Sequence, residues 1–69
     1  MEVSSRNQLK GIIRMIKKGP VSTEVIIALP GGTEVVSVIT TYSAEKMDLQ
    51  EGSDVYAVIK ATEVMIGKD

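Results

Sequence analysis

The chain has 69 residues, of which 43% are hydrophobic and 25% charged, and a formal net charge of −1. That leaves room for one small globular domain, residues 1–69, with a composition neither disordered nor membrane-spanning. Cys, His, Trp and Phe are all absent, which removes disulfides, thiolate nucleophiles, the usual zinc sites and imidazole acid–base chemistry; two tyrosines and a nearly neutral charge offer little to nucleic acid.

In chain order, Met1–Arg6 carries no apolar signal core, so the cytoplasm is the expected compartment. From Arg6 to Lys17, Leu9, Ile13 and Met15 alternate with Lys10 and Arg14, while Ile12 and Ile16 interrupt the polar face; the pattern predicts a strand. Gly19-Pro20 marks a turn. Val21 to Leu29 is β-rich and contains the longest apolar run, Val25 to Leu29, too short for a bilayer. Pro30-Gly31-Gly32 predicts a hairpin turn and Glu34 to Thr41 the returning strand. Ser43 then reads as an N-cap, with a short helix from Ala44 to about Met47. Val55 to Lys60 is apolar at nearly every position and is expected to be a fourth strand buried on both faces. Val64-Met65-Ile66 is long enough to close the sheet as a fifth. The predicted fold is mainly β: a small five-stranded OB-like barrel with one short helix. Apolar residues on both faces of so short a domain also predict an oligomer.

Charge is unevenly spread. Residues 1–18 hold Arg6, Lys10, Arg14, Lys17 and Lys18 against Glu2 alone, and the remainder holds Lys46, Lys60 and Lys68 against eight acids. Such a stretch is either a solvated basic strand edge or part of an anion site. Three groups combine hydroxyls, cations and strand-end amides: Ser4-Ser5-Arg6-Asn7, Thr40-Thr41-Tyr42-Ser43 and Lys60-Ala61-Thr62. Singly they also read as a loose terminus, an ordinary cap and the polar end of a strand. Together they supply donors without a base, which is what a bound oxyanion requires. No base, nucleophile and orienting partner can be assembled, so no catalytic residues are expected and the chain is not read as an enzyme.

The run Ser5-Arg6-Asn7-Gln8-Leu9-Lys10-Gly11 resembles the S-A-R-N-Q-L-K-G opening of the molbindins, the small Mop-type molybdenum-pterin- or molybdate-binding proteins. The resemblance continues through Lys17-Lys18-Gly19-Pro20-Val21, Gly31-Gly32-Thr33-Glu34-Val35, Val38-Ile39-Thr40, Glu51-Gly52, Val55-Tyr56-Ala57-Val58-Ile59-Lys60-Ala61 and Val64-Met65-Ile66-Gly67, covering nearly the whole chain in order. It implies a single TOBE domain assembled as a homohexamer, a trimer of dimers, that stores or buffers molybdate or tungstate at subunit interfaces. It further implies a main oxyanion site built from Ser4, Arg6 and the Ser5 amide, from Lys60 and Ala61, and from Thr40 and Ser43 contributed across the interface. A secondary site is assigned to Gly19, Val21 and Ser22, with Pro20 between them unable to donate. Ser5 departs from the family's alanine. Molybdopterin is not expected as a ligand, because a pterin ring needs stacking aromatics and only Tyr42 and Tyr56 are present. Nucleic acid and membrane are not expected partners. An OB-type nucleic-acid module and a purely structural oligomerisation domain are the alternatives.

Overall fold

Gly19-Pro20 and Pro30-Gly31-Gly32 break the β-rich stretches into three strands, and the chain then changes period into a helix. In the computed structural model, which covers residues 1–69, β1 (Asn7–Lys18), β2 (Ser22–Ala28), β3 (Glu34–Thr40), α1 (Thr41–Lys46) and β4 (Asp54–Ile59) are followed by a 3-10 turn at Ala61–Glu63. The four strands form one antiparallel sheet in the order β3-β2-β1-β4. Strand β1 divides its length between two partners. Asn7–Ile12 pairs with β4, whereas Ile12–Lys18 pairs with β2. This stagger curls the sheet into half a barrel, whose concave face gathers Ile13, Val25, Ile27 and Ala57, flanked by Ile16, Leu29, Val35, Ile39, Leu49 and Val55.

A bulge in β1 resets the alternation of its side chains. Ile13 lies opposite Ile27 and Met15 opposite Ile26, so Arg14 is the extra residue. The concave side therefore passes from Ile13 to Ile16, and Met15 joins the exposed outer face. The sequence pattern had placed Met15 with Ile13, because strict alternation contains no signal for an inserted residue.

Three other expectations are corrected. The sheet has four strands and no fifth: the Val64 N–H turns back to the Ala61 carbonyl, and Met65 and Ile66 beyond it are each 91% exposed. The helix begins at Thr41 and not at Ala44, because Thr40 and not Ser43 is its N-cap. Strand β4 is an edge strand covered on one face only, leaving Tyr56 and Val58 exposed on the other. The concave face is itself incompletely covered, an open apolar trough of about 570 Å³ lined by residues that include Ile13, Val25, Ile27, Ile39 and Leu49. No helix is long and apolar enough to cross a membrane.

Two glycine positions are dictated by geometry. Gly31 and Gly32 sit at φ of 93° and 96° in the β2–β3 hairpin, the left-handed region that glycine enters at least cost. Gly11 is buried where β1 changes partners, and a Cβ there would lie 2.6 Å from the Ala28 carbonyl oxygen and 2.7 Å from Ile27 Cγ2. Since one neighbour is backbone, the sheet itself has to move to admit a methyl group. Gly11→Ala is expected to cost about 2 kcal/mol and about 10 °C of melting temperature, read by thermal unfolding.

Candidate functional site

The opening donors are tied to the end of β4. The Ser5 hydroxyl donates to the Ile59 carbonyl at 2.6 Å and accepts from the Asn7 N–H at 3.2 Å. The Asn7 side-chain amide donates to the same carbonyl at 3.1 Å, and Gln8 Nε2 donates to the Ser5 carbonyl at 2.9 Å. Ser4, Ser5 and Arg6 are thereby held beside Lys60 and Ala61, which follow Ile59 directly. Lys60 caps the 3-10 turn with its carbonyl, accepting from the Glu63 N–H at 2.9 Å, and its side chain is exposed. Two of the three predicted donor groups therefore meet at one end of the sheet.

The third lies at the other end. Thr40 pairs with Ser22 across β2 and β3, and Thr23 beside Ser22 pairs with Lys18 at the far end of β1. A strand of twelve residues runs about 35 Å at roughly 3.3 Å per residue, comparable with the longest dimension of the molecule, 36 Å. No hydrogen bond links Arg6, which precedes one end of β1, to Ser43, which lies near the other. There the Thr40 hydroxyl accepts from the Ser43 N–H at 3.1 Å and donates to Ser43 Oγ at 2.8 Å. Ser43 Oγ accepts in that bond and keeps its own proton available to a further acceptor.

Gly19, Val21 and Ser22, assigned to the secondary site, share this end with Thr40 and Ser43. The Thr41 N–H bonds the Val21 carbonyl at 2.8 Å, and the Gly19 N–H is already engaged by the Ser22 carbonyl at 3.0 Å. Gly19 thus brings no spare amide to an anion.

Electrostatics separates the cations of the basic first strand. Arg14 is paired with Glu34, and Lys18 Nζ lies 3.0 Å from Glu45. These two answer to the reading of a basic edge complementing acidic neighbours. Arg6 and Lys60 make no ion pair within the chain, and neither do Lys10 and Lys17; what sets Arg6 and Lys60 apart is their place beside the Ser4–Ser5 segment. No group of three His, Cys, Asp or Glu side chains is placed to hold a metal cation. The open trough is lined almost wholly by hydrophobic side chains and gives an anion nothing to bind.

The model for the TOBE domain matches residues 3–66. The chain is 47% identical over 66 residues to molybdenum-pterin-binding protein 3 of Clostridium pasteurianum, covering 96% of this chain and 97% of that protein. Its fold is similar to that of MopII from Clostridium pasteurianum, with a TM-score of 0.92 and 42% identity, over 97% of this chain and all of that one. It is also similar to a molybdate-binding protein from Sporomusa ovata, with a TM-score of 0.91 and 38% identity, over 99% of this chain and all of that one.

Sequence reasoning missed the parts that fasten these donors. Asn7 was read as one more polar residue, although Ser-x-Asn is a spacing at which a hydroxyl bonds the backbone two residues on. Thr23 and Thr41 carried no signal beyond hydroxyls in apolar surroundings. Thr23 is 1% exposed, its hydroxyl 2.8 Å from that of Thr41, which donates to the Gly19 carbonyl at 2.6 Å. This buried chain bolts β2, the β1–β2 turn and the start of α1 together. Thr41→Val keeps the shape but strands the Thr23 hydroxyl, and should cost about 2 kcal/mol by denaturant unfolding, with Thr41→Ser close to wild type.

Proposed function

The chain belongs to the TOBE-domain family, among its small Mop-type members, and on that footing we propose that it binds molybdate, and tungstate with it, at sites shared between copies of itself, as an intracellular store or buffer. The observation that carries this reading is the division of the donors. Arg6, Lys60 and the Ser4–Ser5 backbone stand at one end of the half-barrel and Thr40 and Ser43 at the other. One chain cannot wrap a tetrahedral dianion with both groups; two chains placed end to end can.

The assembly we propose is a homohexamer, a trimer of dimers. Both outer strands have a free edge, the concave trough is open, and Ile12, Val36, Val38 and Tyr56 expose apolar surface on the convex face. A 69-residue chain with eight buried residues has little stability of its own. Partner copies supply the missing cover, and an anion clamped between them adds to their cohesion.

Discrimination follows from the type of donor. A site built from guanidinium, ammonium, hydroxyl and amide groups has no carboxylate to accept the proton that phosphate carries at neutral pH, so it favours the fully deprotonated oxyanion. Sulfate shares the charge of molybdate but is smaller and more strongly hydrated, so cavity size and dehydration favour the larger ion. We take the ligand to be the bare oxyanion and not a molybdopterin. Tyr42 stands 71% exposed on α1 with the Lys46 ammonium 5.9 Å from its ring centroid, and Tyr56 lies on the exposed face of β4. Tyr56 borders the open trough, but the two rings lie on separate elements and do not form a pair that could sandwich a pterin.

Titration calorimetry with sodium molybdate in excess sulfate should give a saturable signal. Arg6→Ala should weaken it by about 2 kcal/mol, roughly thirtyfold, through loss of a charge-assisted bond. A flat wild-type titration, with no molybdate-dependent rise in melting temperature, would refute the reading. Sharing between chains has its own test. Arg6→Ala and Ser43→Ala chains, each a weak binder alone, are unfolded together and refolded as mixed oligomers. Random pairing should return roughly a quarter of the strong sites, whereas sites contained in one chain should return none.

A further inference from the structure

Strand β1 and strand β4 are tied at their last pair by side chains as well as by the ladder. Asn7 and Ile59 are opposite each other; the Asn7 N–H donates to Ser5 Oγ at 3.2 Å, and that hydroxyl donates to the Ile59 carbonyl at 2.6 Å. The side chain of Ser5 is spliced into the ladder, relaying between a backbone donor and a backbone acceptor. Its only proton is committed to Ile59 and one of its lone pairs to Asn7, so the hydroxyl has nothing left to donate to an anion. What remains free at this position is the backbone N–H, since the Ser5 carbonyl already accepts from Gln8 Nε2.

From this we infer that Ser5 is a positioning residue: its hydroxyl pre-orders the Ser4–Arg6 segment against Lys60 before any anion arrives. The inference rests on the oxyanion reading above and assigns Ser5 a role within that site. Beyond the ladder nothing else fastens the segment except the Gln8 amide on the Ser5 carbonyl, an exposed contact. Alanine, the residue that the resembling family's opening carries here, cannot make the splice. In its absence the segment loses its hydroxyl bond to Ile59, and the Asn7 side-chain amide is the side-chain tie that remains at the strand end.

Pre-ordering and direct ligation leave different kinetic marks. If Ser5 sets the fraction of molecules ready to bind, Ser5→Ala lowers that fraction, and the apparent association rate falls with it while the bound state dissociates as before. If Ser5 instead touches the anion, its loss appears in the dissociation rate. The experiment follows binding and release of radiolabelled molybdate by filter capture, alongside amide exchange at Asn7 by NMR in the anion-free protein. For Ser5→Ala we expect association slower by about tenfold, dissociation within about twofold of wild type, and Asn7 exchange faster by about tenfold. Ser5→Thr, which keeps the hydroxyl, should restore all three. Faster dissociation with unchanged association would make Ser5 a direct ligand and overturn the inference. So would unchanged Asn7 exchange, which means no splice, or unchanged binding rates beside faster exchange, which means a role in the fold alone. A wild-type protein that captures no molybdate marks instead the failure of the oxyanion reading, and the inference falls with it.

Discussion

Everything in this molecule follows from the way one long strand is shared. β1 gives its first half to β4 and its second half to β2, with Ile12 the only residue common to both ladders. Gly11 lets the backbones close up at the changeover, and the bulge one turn of the pleat further on bends the strand so that Ile13 and Ile16 both reach the concave side. Because β4 hangs from one end and the β2–β3–α1 unit from the other, donors carried by the two halves are kept apart. The same offset leaves two strand edges and a trough open. A sheet of four strands cannot close a barrel of this width, so the separation of the donors and the open trough have one cause.

Polar chemistry is arranged around that frame with little redundancy. Arg14 and Lys18 are answered by Glu34 and Glu45 from within the chain; both pairs are exposed and contribute little stability. Arg6 and Lys60, like Lys10 and Lys17, have no such partner, and they stand at the end where the Ser5 N–H is also free. Buried hydroxyls do the fastening elsewhere. Thr23, Thr41 and the Gly19 carbonyl form a closed chain in a region that is otherwise apolar, and no buried side-chain polar atom lacks a partner. The donors proposed to meet the anion are exposed or, at Ser5 and Ser43, half-buried, whereas the groups that hold them are satisfied internally.

Much of this was legible in the residues. The strand stretches were delimited to within a residue or so, because Gly19-Pro20 and Pro30-Gly31-Gly32 punctuate them chemically. The three donor clusters were found because hydroxyls and cations at strand ends differ in kind from the apolar runs between them. What escaped depends on other parts of the chain. The bulge at Arg14 arises from the fit of β1 to β2 and leaves no mark in composition. Thr40 and Ser43 are both good caps, and only the backbone path out of β3 decides which one accepts the N–H. Val64-Met65-Ile66 has the composition of a strand, but a strand needs an edge, and the turn at Lys60–Val64 carries this segment away from both edges of its own sheet. Ser5 could be located and not understood, because its partner Ile59 lies 54 residues away.

That distance along the chain governs the order in which the molecule takes shape. β2 and β3 are joined by a four-step hairpin turn and can pair early, since closing a short loop costs little entropy. The Ser5 and Asn7 bonds to Ile59 close loops of 54 and 52 residues and have to wait for β4. The residues made first during synthesis are therefore among the last to settle. A chain truncated before Ile59 lacks the acceptor that fastens its opening segment, so order at that end arrives only with the completed fold.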